Sequence, residues 1–227
     1  MTTPSDSKAA ILDAAEARFA AKGFVPTTIK QIAGDAGVNS ALLYYYFADK
    51  EALYSAVVTR LITRMAAEMS AVLATAASPV AAIENFAKQH TELLERQPHL
   101  RKIVGRELID HDAAHAQQAI RHLAATTFAR LQAAIAAGQN SGLFRPDVDA
   151  RFAAISLLAQ TTYFQIARPA IELLLAEGKP LPPEIGAAFA RHAAAFTLAA
   201  LAPAVPPAAP PPTAAPAAPA TDQSPTA

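Results

Sequence analysis

"GVNSALLYYYFADKEALY", Gly37 to Tyr54, sets three tyrosines side by side in a chain with no tryptophan and only five tyrosines in 227 residues. Three adjacent phenols cannot share one core. An α-helix turns roughly 100° per residue, so neighbours diverge while side chains three or four apart align. At least one of Tyr44, Tyr45 and Tyr46 therefore looks outward. Gly37 suits a tight turn before this stretch, Asn39 an N-cap for a helix over about 40–47, and Asp49 the N-cap of the next helix. Upstream, Thr28 followed three residues later by Gln31 forms a capping-box pattern. The unit reads as helix, glycine turn, helix.

The rest of the chain reads as all-α. Hydrophobic residues make up 52% of it, much of that alanine, and no stretch alternates as a strand would. A first helix is expected over 7–22, with Ile11, Leu12, Ala15 and Phe19 on one stripe and Gly23 past its end. Further helices are expected from Asp49 toward Leu73, then over 79–96, 99–109, 113–140, 148–176 and 183–201, with Pro169 kinking or interrupting the 148–176 helix. From Pro203 the sequence is nearly all Pro, Ala and Thr, a composition unable to build a core. The expected division is a helix-turn-helix unit over 1–50, a larger helical bundle over 51–202 and a Pro/Ala-rich disordered tail over 203–227.

There is no cysteine, which excludes disulfides, thiolate metal sites and a cysteine nucleophile. No basic leader precedes an apolar stretch and no run of 18 or more apolar residues occurs, so a cytoplasmic protein without membrane contact is expected. Lys plus Arg equal Asp plus Glu at 19 each, giving a net charge of zero. Residues 1–60 are level too, so any polyanion partner must be met by local placement of charge.

Projection of 40–47 onto a helix aims Leu43 and Phe47 inward, at the core reached by Ile32 and Val38. The opposite face carries Ser40, Ala41 and Tyr44, with Leu42, Tyr45 and Tyr46 toward its sides. Small residues at the helix start allow close approach to something large, and phenols donate hydrogen bonds to phosphate oxygens. Lys50 sits in a first helical turn, where the dipole slightly disfavours a cation, and a bound phosphate would account for it. Thr28 with Lys30 forms a second such clamp beside the same face. Double-stranded DNA is the expected partner.

Residues 7–54 resemble the N-terminal DNA-binding domain of the TetR/AcrR family of bacterial transcriptional regulators. The resemblance rests on the Thr before the short helix, Ile-Ala, Ala-Gly-Val, the Leu-Tyr-Tyr-Tyr-Phe run and Asp-Lys-Glu-Ala-Leu, in order and spacing. It implies that Thr28 and Lys30 touch the DNA backbone, that Ser40, Ala41, Leu42, Tyr44, Tyr45 and Tyr46 belong to the recognition helix, and that Lys50 holds a phosphate. Leu42 departs from the small or hydroxylated residue more usual there. The resemblance also implies a homodimer on a near-palindromic operator, released by a small-molecule effector, with repression the commoner habit.

The 152–168 and 184–200 stretches mix Phe152, Ile155, Leu158, Ile185, Phe189 and Phe196 with alanines, as a two-fold helical interface would. Polar residues interrupting apolar helices mark effector candidates: His99, Arg106, Glu107, His111, Gln160, Tyr163 and Arg168. Glu107, His111 and His115 are four apart, but Asp110 and Asp112 argue for a helix break there, so no metal is assigned. No paired Glu-x-x-His, phosphate-cradling glycine loop or serine elbow occurs, so neither enzyme activity nor a cofactor is expected. The alternatives are a DNA-binding regulator without effector and, more remotely, a helical-bundle enzyme.

Overall fold

The computed structural model describes residues 4–203. Eleven α-helices and one π-helical turn make up the regular structure of this described part: α1 Pro4–Lys22, α2 Ile29–Asp35, α3 Ser40–Tyr46, α4 Lys50–Ala74, α5 Pro79–Arg96, α6 Pro98–Asp110, α7 Gln117–Leu123, α8 Ala129–Asn140, α9 Ala150–Ile166, α10 Arg168–Ala176 and α11 Ile185–Leu201, with the π turn Ala124–Phe128 joining α7 to α8. All but Pro203 of the expected 203–227 tail lies outside the described residues.

Local chemistry sets the helix ends. Thr28 Oγ1 accepts from the Gln31 backbone at 3.3 Å while Gln31 Oε1 accepts from the Thr28 N–H at 3.0 Å, a completed capping box. Asn39 Oδ1 accepts from Leu42 N (2.8 Å), Asp49 Oδ1 from Ala52 N (2.7 Å) and Ser78 Oγ from Ala81 N (3.1 Å). Gly37 takes φ +67° between α2 and α3, a left-handed conformation that a Cβ would strain. Before α9, Asp149 caps the helix and Asp147 pairs with Arg145.

Two expected helices are divided. The 148–176 helix breaks at Ala167, because Pro169 has no N–H to continue it and instead occupies the first turn of α10. The 113–140 helix starts only at Gln117. Asp112 (φ +49°) and Ala113 (φ +59°) are left-handed, held by Ala113 N donating to Glu107 O at 3.0 Å. Downstream, the buried Thr127 of the π turn donates to Ala66 O of α4 at 2.8 Å, a bond that fixes the bulge against the long helix.

Helices α1–α3 close over Ile11, Phe19, Ile32, Leu43 and Phe47, and the start of α4 seals them with Leu53 and Val57. Burying Leu43 alone is worth roughly 2 kcal/mol. Helix α4 continues into the larger bundle through Leu61, Met65 and Met69, so one rigid element serves both parts. Within the bundle α5 lies against α4, α9 and α11, and α11 packs on α9, where Phe164 and Phe189 stack at 4.0 Å.

Candidate nucleic-acid interface

Helix α3 presents its outer face because Leu43 and Phe47 anchor its inner one, at 0% and 6% exposure. Tyr45 lies opposite that stripe and is the most open phenol, at 79%; Tyr44 follows at 55%. Ala41 is exposed, and Ser40 and Leu42 are half-buried. Tyr46 corrects the sequence expectation. It is half-buried and packs against the core, its ring 5.1 Å from Tyr45 and 6.5 Å from Phe47. It stands three residues after Leu43 and one before Phe47, at the edge of the inner stripe, whereas Tyr45, placed with it toward the side of the outer face by the sequence, is two from each and therefore outermost.

Thr28 and Lys30 are both exposed on α2. The Thr28 hydroxyl oxygen accepts the capping bond and retains its proton to donate.

Lys50 is the second correction. Its Nζ donates to Phe24 O at 3.0 Å, Thr27 O at 3.1 Å and Val25 O at 3.2 Å, and stands 4.3 Å from the Phe24 ring centroid. All three ammonium protons are taken by backbone carbonyls. The cation expected to hold a phosphate instead ties the α1–α2 loop to the start of α4. The loop carbonyls also explain why a lysine tolerates a first helical turn.

Other charges in this part are likewise committed. Arg18 Nη2 donates to Asp35 Oδ1 at 2.7 Å, joining α1 to α2, and the guanidinium holds the Asp35 carboxyl below its usual range. Arg60 of α4 reaches Asp13 at 2.7 Å and Glu16 at 2.6 Å on α1. Lys8, not singled out by sequence, stands 5.8 Å over the Phe47 ring beside the end of α3. Nothing in the sequence of α1 reveals that placement, which depends on how α1 crosses α3.

The bundle holds an apolar cavity of about 330 Å³ among α4, α5, α6, α7 and α9, walled by residues such as Ile62, Met65, Leu94, Ile120 and Leu158. Of the seven effector candidates only Glu107 lines it. Glu107 is buried, with Oε1 accepting from the His115 backbone at 2.7 Å and Oε2 facing His115 Nδ1 at 3.1 Å. The helix break places His111 and His115 on the turn beyond α6, so the three side chains do not form one helical row.

The other candidates lie outside this cavity. His99 faces Glu16 Oε1 at 3.3 Å, Arg106 donates to Phe19 O at 2.7 Å and Ala20 O at 3.2 Å, and His111 packs in a ring cluster with Phe24 and Tyr54. Gln160 donates to its own helix at Ser156 O (3.2 Å), Arg168 pairs with Glu95 (3.3 Å) and Glu172 (3.4 Å), and Tyr163 is 69% exposed.

Sequence reasoning missed His90, which lines the cavity, lies stacked on Phe86, and is 2% exposed. Thr161 donates its hydroxyl proton to Leu157 O (3.0 Å), so at the 2.9 Å contact His90 Nδ1 is the donor, leaving Nε2 an acceptor. Burial pushes the His90 pKa down to about 4. A histidine on an apolar stripe carries no mark in sequence that separates cavity wall from core.

Among the described residues no helix is long and apolar enough to cross a membrane. Residues 11–57 match the family model of bacterial regulatory proteins of the tetR family, and residues 79–192 the tetracyclin repressor-like C-terminal domain. The transcriptional repressor NicS of Pseudomonas putida is 30% identical over 68% of this chain and 73% of its own length. The transcriptional regulator RutR of Escherichia coli K12 is 36% identical over 46% of this chain and 49% of its own. Among solved structures, FadR of Bacillus subtilis in complex with stearoyl-CoA superposes with a TM-score of 0.69 at 18% identity, covering 85% of this chain and 98% of that one, a likeness of fold. The relatives are named as regulators rather than enzymes. On the match of both its N-terminal and C-terminal parts, this chain belongs to the TetR family of bacterial transcriptional regulators.

Proposed function

We propose that the protein is a repressor that binds a near-palindromic operator as a homodimer and is released by a small apolar effector. The observation that carries the reading is the outward face of α3: Tyr44 and Tyr45, 55% and 79% exposed, with Ser40, Ala41 and Leu42 beside them and Thr28 and Lys30 on the adjoining helix. This face enters the major groove, small residues allowing close approach, phenols and the Thr28 hydroxyl donating to phosphates, and Leu42 available to a thymine methyl. Lys50 acts indirectly, by fixing the loop that carries α2. The naming of NicS as a repressor favours repression over activation.

Helices α9 and α11 supply the two-fold contact. Phe152 and Phe196 are 66% and 60% exposed, large apolar rings set among alanines as a close helical interface requires. The effector occupies the α4–α9 cavity. Glu107 and His90 offer acceptors there and Thr162 a hydroxyl, in an otherwise apolar wall, which suits an apolar molecule carrying a hydrogen-bond donor. Ile62 and Met65 of α4 line the same cavity, while Lys50 in its first turn holds the loop and Arg60, two residues before Ile62, holds α1. A ligand that displaces α4 therefore changes the separation of the two α3 helices and lowers operator affinity, to the extent that it prefers one arrangement.

Fluorescence anisotropy of the full chain on a palindromic site selected from random duplexes tests the reading. Saturable binding by a two-fold dimer, abolished by combined Tyr44→Ala and Tyr45→Ala in a chain of unchanged melting temperature, is the expected result. Unchanged affinity in that variant overturns it. A regulator without effector is recognised by an operator affinity that no apolar donor ligand lowers.

A further inference from the structure

A second recess lies on the opposite side of α6 from the apolar cavity, between α6 and the α9–α10 junction, with a volume of about 260 Å³. Its chemistry is the reverse of the first. Arg101, Lys102 and Arg106 line it against a single carboxylate, Asp110. Lys102 is exposed and forms no ion pair among the described residues. Arg101 donates from Nη1 to Gln165 Oε1 at 3.4 Å, a long contact that leaves most of a five-donor guanidinium unmet.

Gln165 gives the independent sign of a ligand. It forms part of the same wall at 0% exposure, and its Nε2 is buried without an acceptor. The amide cannot be turned round to remove the problem, because Arg101 requires the oxygen where it stands. A buried donor without a partner is rare in folded proteins and is normally met by protein, water or ligand. Burial, and after it the nearby Arg168, pushes the Arg101 pKa below its ordinary value, with Glu95 and Glu172, which pair with Arg168, opposing the shift. One further negative charge in the recess would relieve both the orphaned amide and the crowded cations. Ile109, Ile166 and Pro169 supply an apolar flank beside them.

We propose that this recess is an anion-binding site for a small organic carboxylate or phosphate monoester, the Arg101 guanidinium and Gln165 Nε2 donating to the anionic oxygens, Lys102 adding charge, and the apolar flank taking the hydrocarbon part. It is separate from the effector cavity. It also touches the DNA-binding part, since Arg106 shares its wall while gripping the last turn of α1 through Phe19 O and Ala20 O.

Titration calorimetry on the full chain without DNA, at fixed ionic strength, tests the site independently of the operator reading. The probes are benzoate, phenyl phosphate and the uncharged benzamide. Benzoate or phenyl phosphate binds saturably and benzamide does not, and the tighter of the two anions names the head group. Lys102→Gln, a surface change that leaves the apo melting temperature unaltered, weakens binding roughly tenfold, as does Gln165→Met, while Lys179→Gln has no effect. If Gln165→Met fails to fold, Arg101→Gln with Lys102→Gln decides. No saturable binding up to millimolar anion, binding indifferent to Lys102→Gln and Arg101→Gln, or benzamide binding as well as benzoate would each overturn the proposal.

Discussion

Lys50 Nζ sits 3.0 Å from the carbonyl oxygen of Phe24 and 4.3 Å from the centre of the same residue's ring, so one ammonium grips one residue through both backbone and side chain. With the Val25 and Thr27 carbonyls it closes the turn between α1 and α2. The first prediction separates this role from phosphate holding. Lys50→Gln lowers stability by about 1–3 kcal/mol through lost charge-assisted bonds and the cation–π contact. Operator affinity falls as the loop loosens, while the slope of log affinity against log salt stays unchanged. A phosphate contact would show the opposite pair, an unaltered melting temperature and a shallower slope.

Salt dependence makes a second prediction. Arg18, Arg60 and Lys50 are engaged within the protein, while Lys30 is exposed on the adjoining α2 and Lys8 stands over the Phe47 ring at the end of α3. Each phosphate neutralised contributes about 0.9 to the slope, so Lys30→Gln reduces it by roughly 2 in a two-fold dimer. The loss of affinity is the same for every operator sequence. Measurement of anisotropy between low and moderate salt checks it.

The phenols divide differently. Tyr44→Phe and Tyr45→Phe remove exposed hydroxyls and leave the melting temperature unchanged, while operator affinity drops roughly 2- to 10-fold per half-site. Tyr46→Ala removes a ring packed on the core and destabilises the protein itself. Thermal denaturation alongside anisotropy distinguishes the three.

Much of this surface is legible in the chain. Thr28, Gln31, Gly37, Asn39 and Asp49 act locally, within three or four residues, and each does in the structure what its spacing implies. The 3.6-residue period also places Leu43 and Phe47 inward. What escapes is contact between elements distant in sequence. Lys50 meets carbonyls 23 to 26 residues away, and no local rule shows that the α1–α2 loop passes beneath it. The effector candidates fail for the same reason. Arg106, His99 and Arg168 look free along one helix, yet each finds a partner on another element 73 to 87 residues distant.

Acid stability follows from His90. Its folded pKa of about 4 lies below the ordinary 6.5, because the charged ring would lose its hydration in the core. Between those values the unfolded chain holds a proton that the folded chain does not, so stability rises with pH across this window. Full stability is present above about 6.5 and falls by about 3 kcal/mol as pH drops to 4, the difference of 2.5 units at 1.36 kcal/mol each. His90→Asn, whose amide does not titrate, flattens that part of the profile. Urea denaturation at a series of pH values reads the difference directly, and a parallel pair of curves for the two proteins would refute it.

Two glycines in helices give opposite outcomes for one substitution. Gly138 of α8 has its face covered by Phe144, whose Cδ2 and Cε2 would lie 2.2 and 2.5 Å from an added Cβ. Phe144 is 4% exposed, and its own N–H donates to Gly138 O at 3.0 Å, so ring and backbone are coupled and the ring has nowhere to retreat. Gly138→Ala therefore forces the α8–α9 corner apart and costs about 1–3 kcal/mol, typical of overpacking. That corresponds to a fall in Tm of roughly 3–10 °C for a domain of this size. Gly34 of α2 has nothing within 4 Å of the same added atom and no left-handed φ. Gly34→Ala thus gains helix propensity and reduces unfolded-state entropy, stabilising by about 0.4–1 kcal/mol. Because Gly34 adjoins the candidate DNA face while Gly138 lies in the bundle, paired melting and anisotropy measurements distinguish the two sites. The first variant loses heat stability with operator affinity intact below its melting point, and the second gains stability without loss of binding.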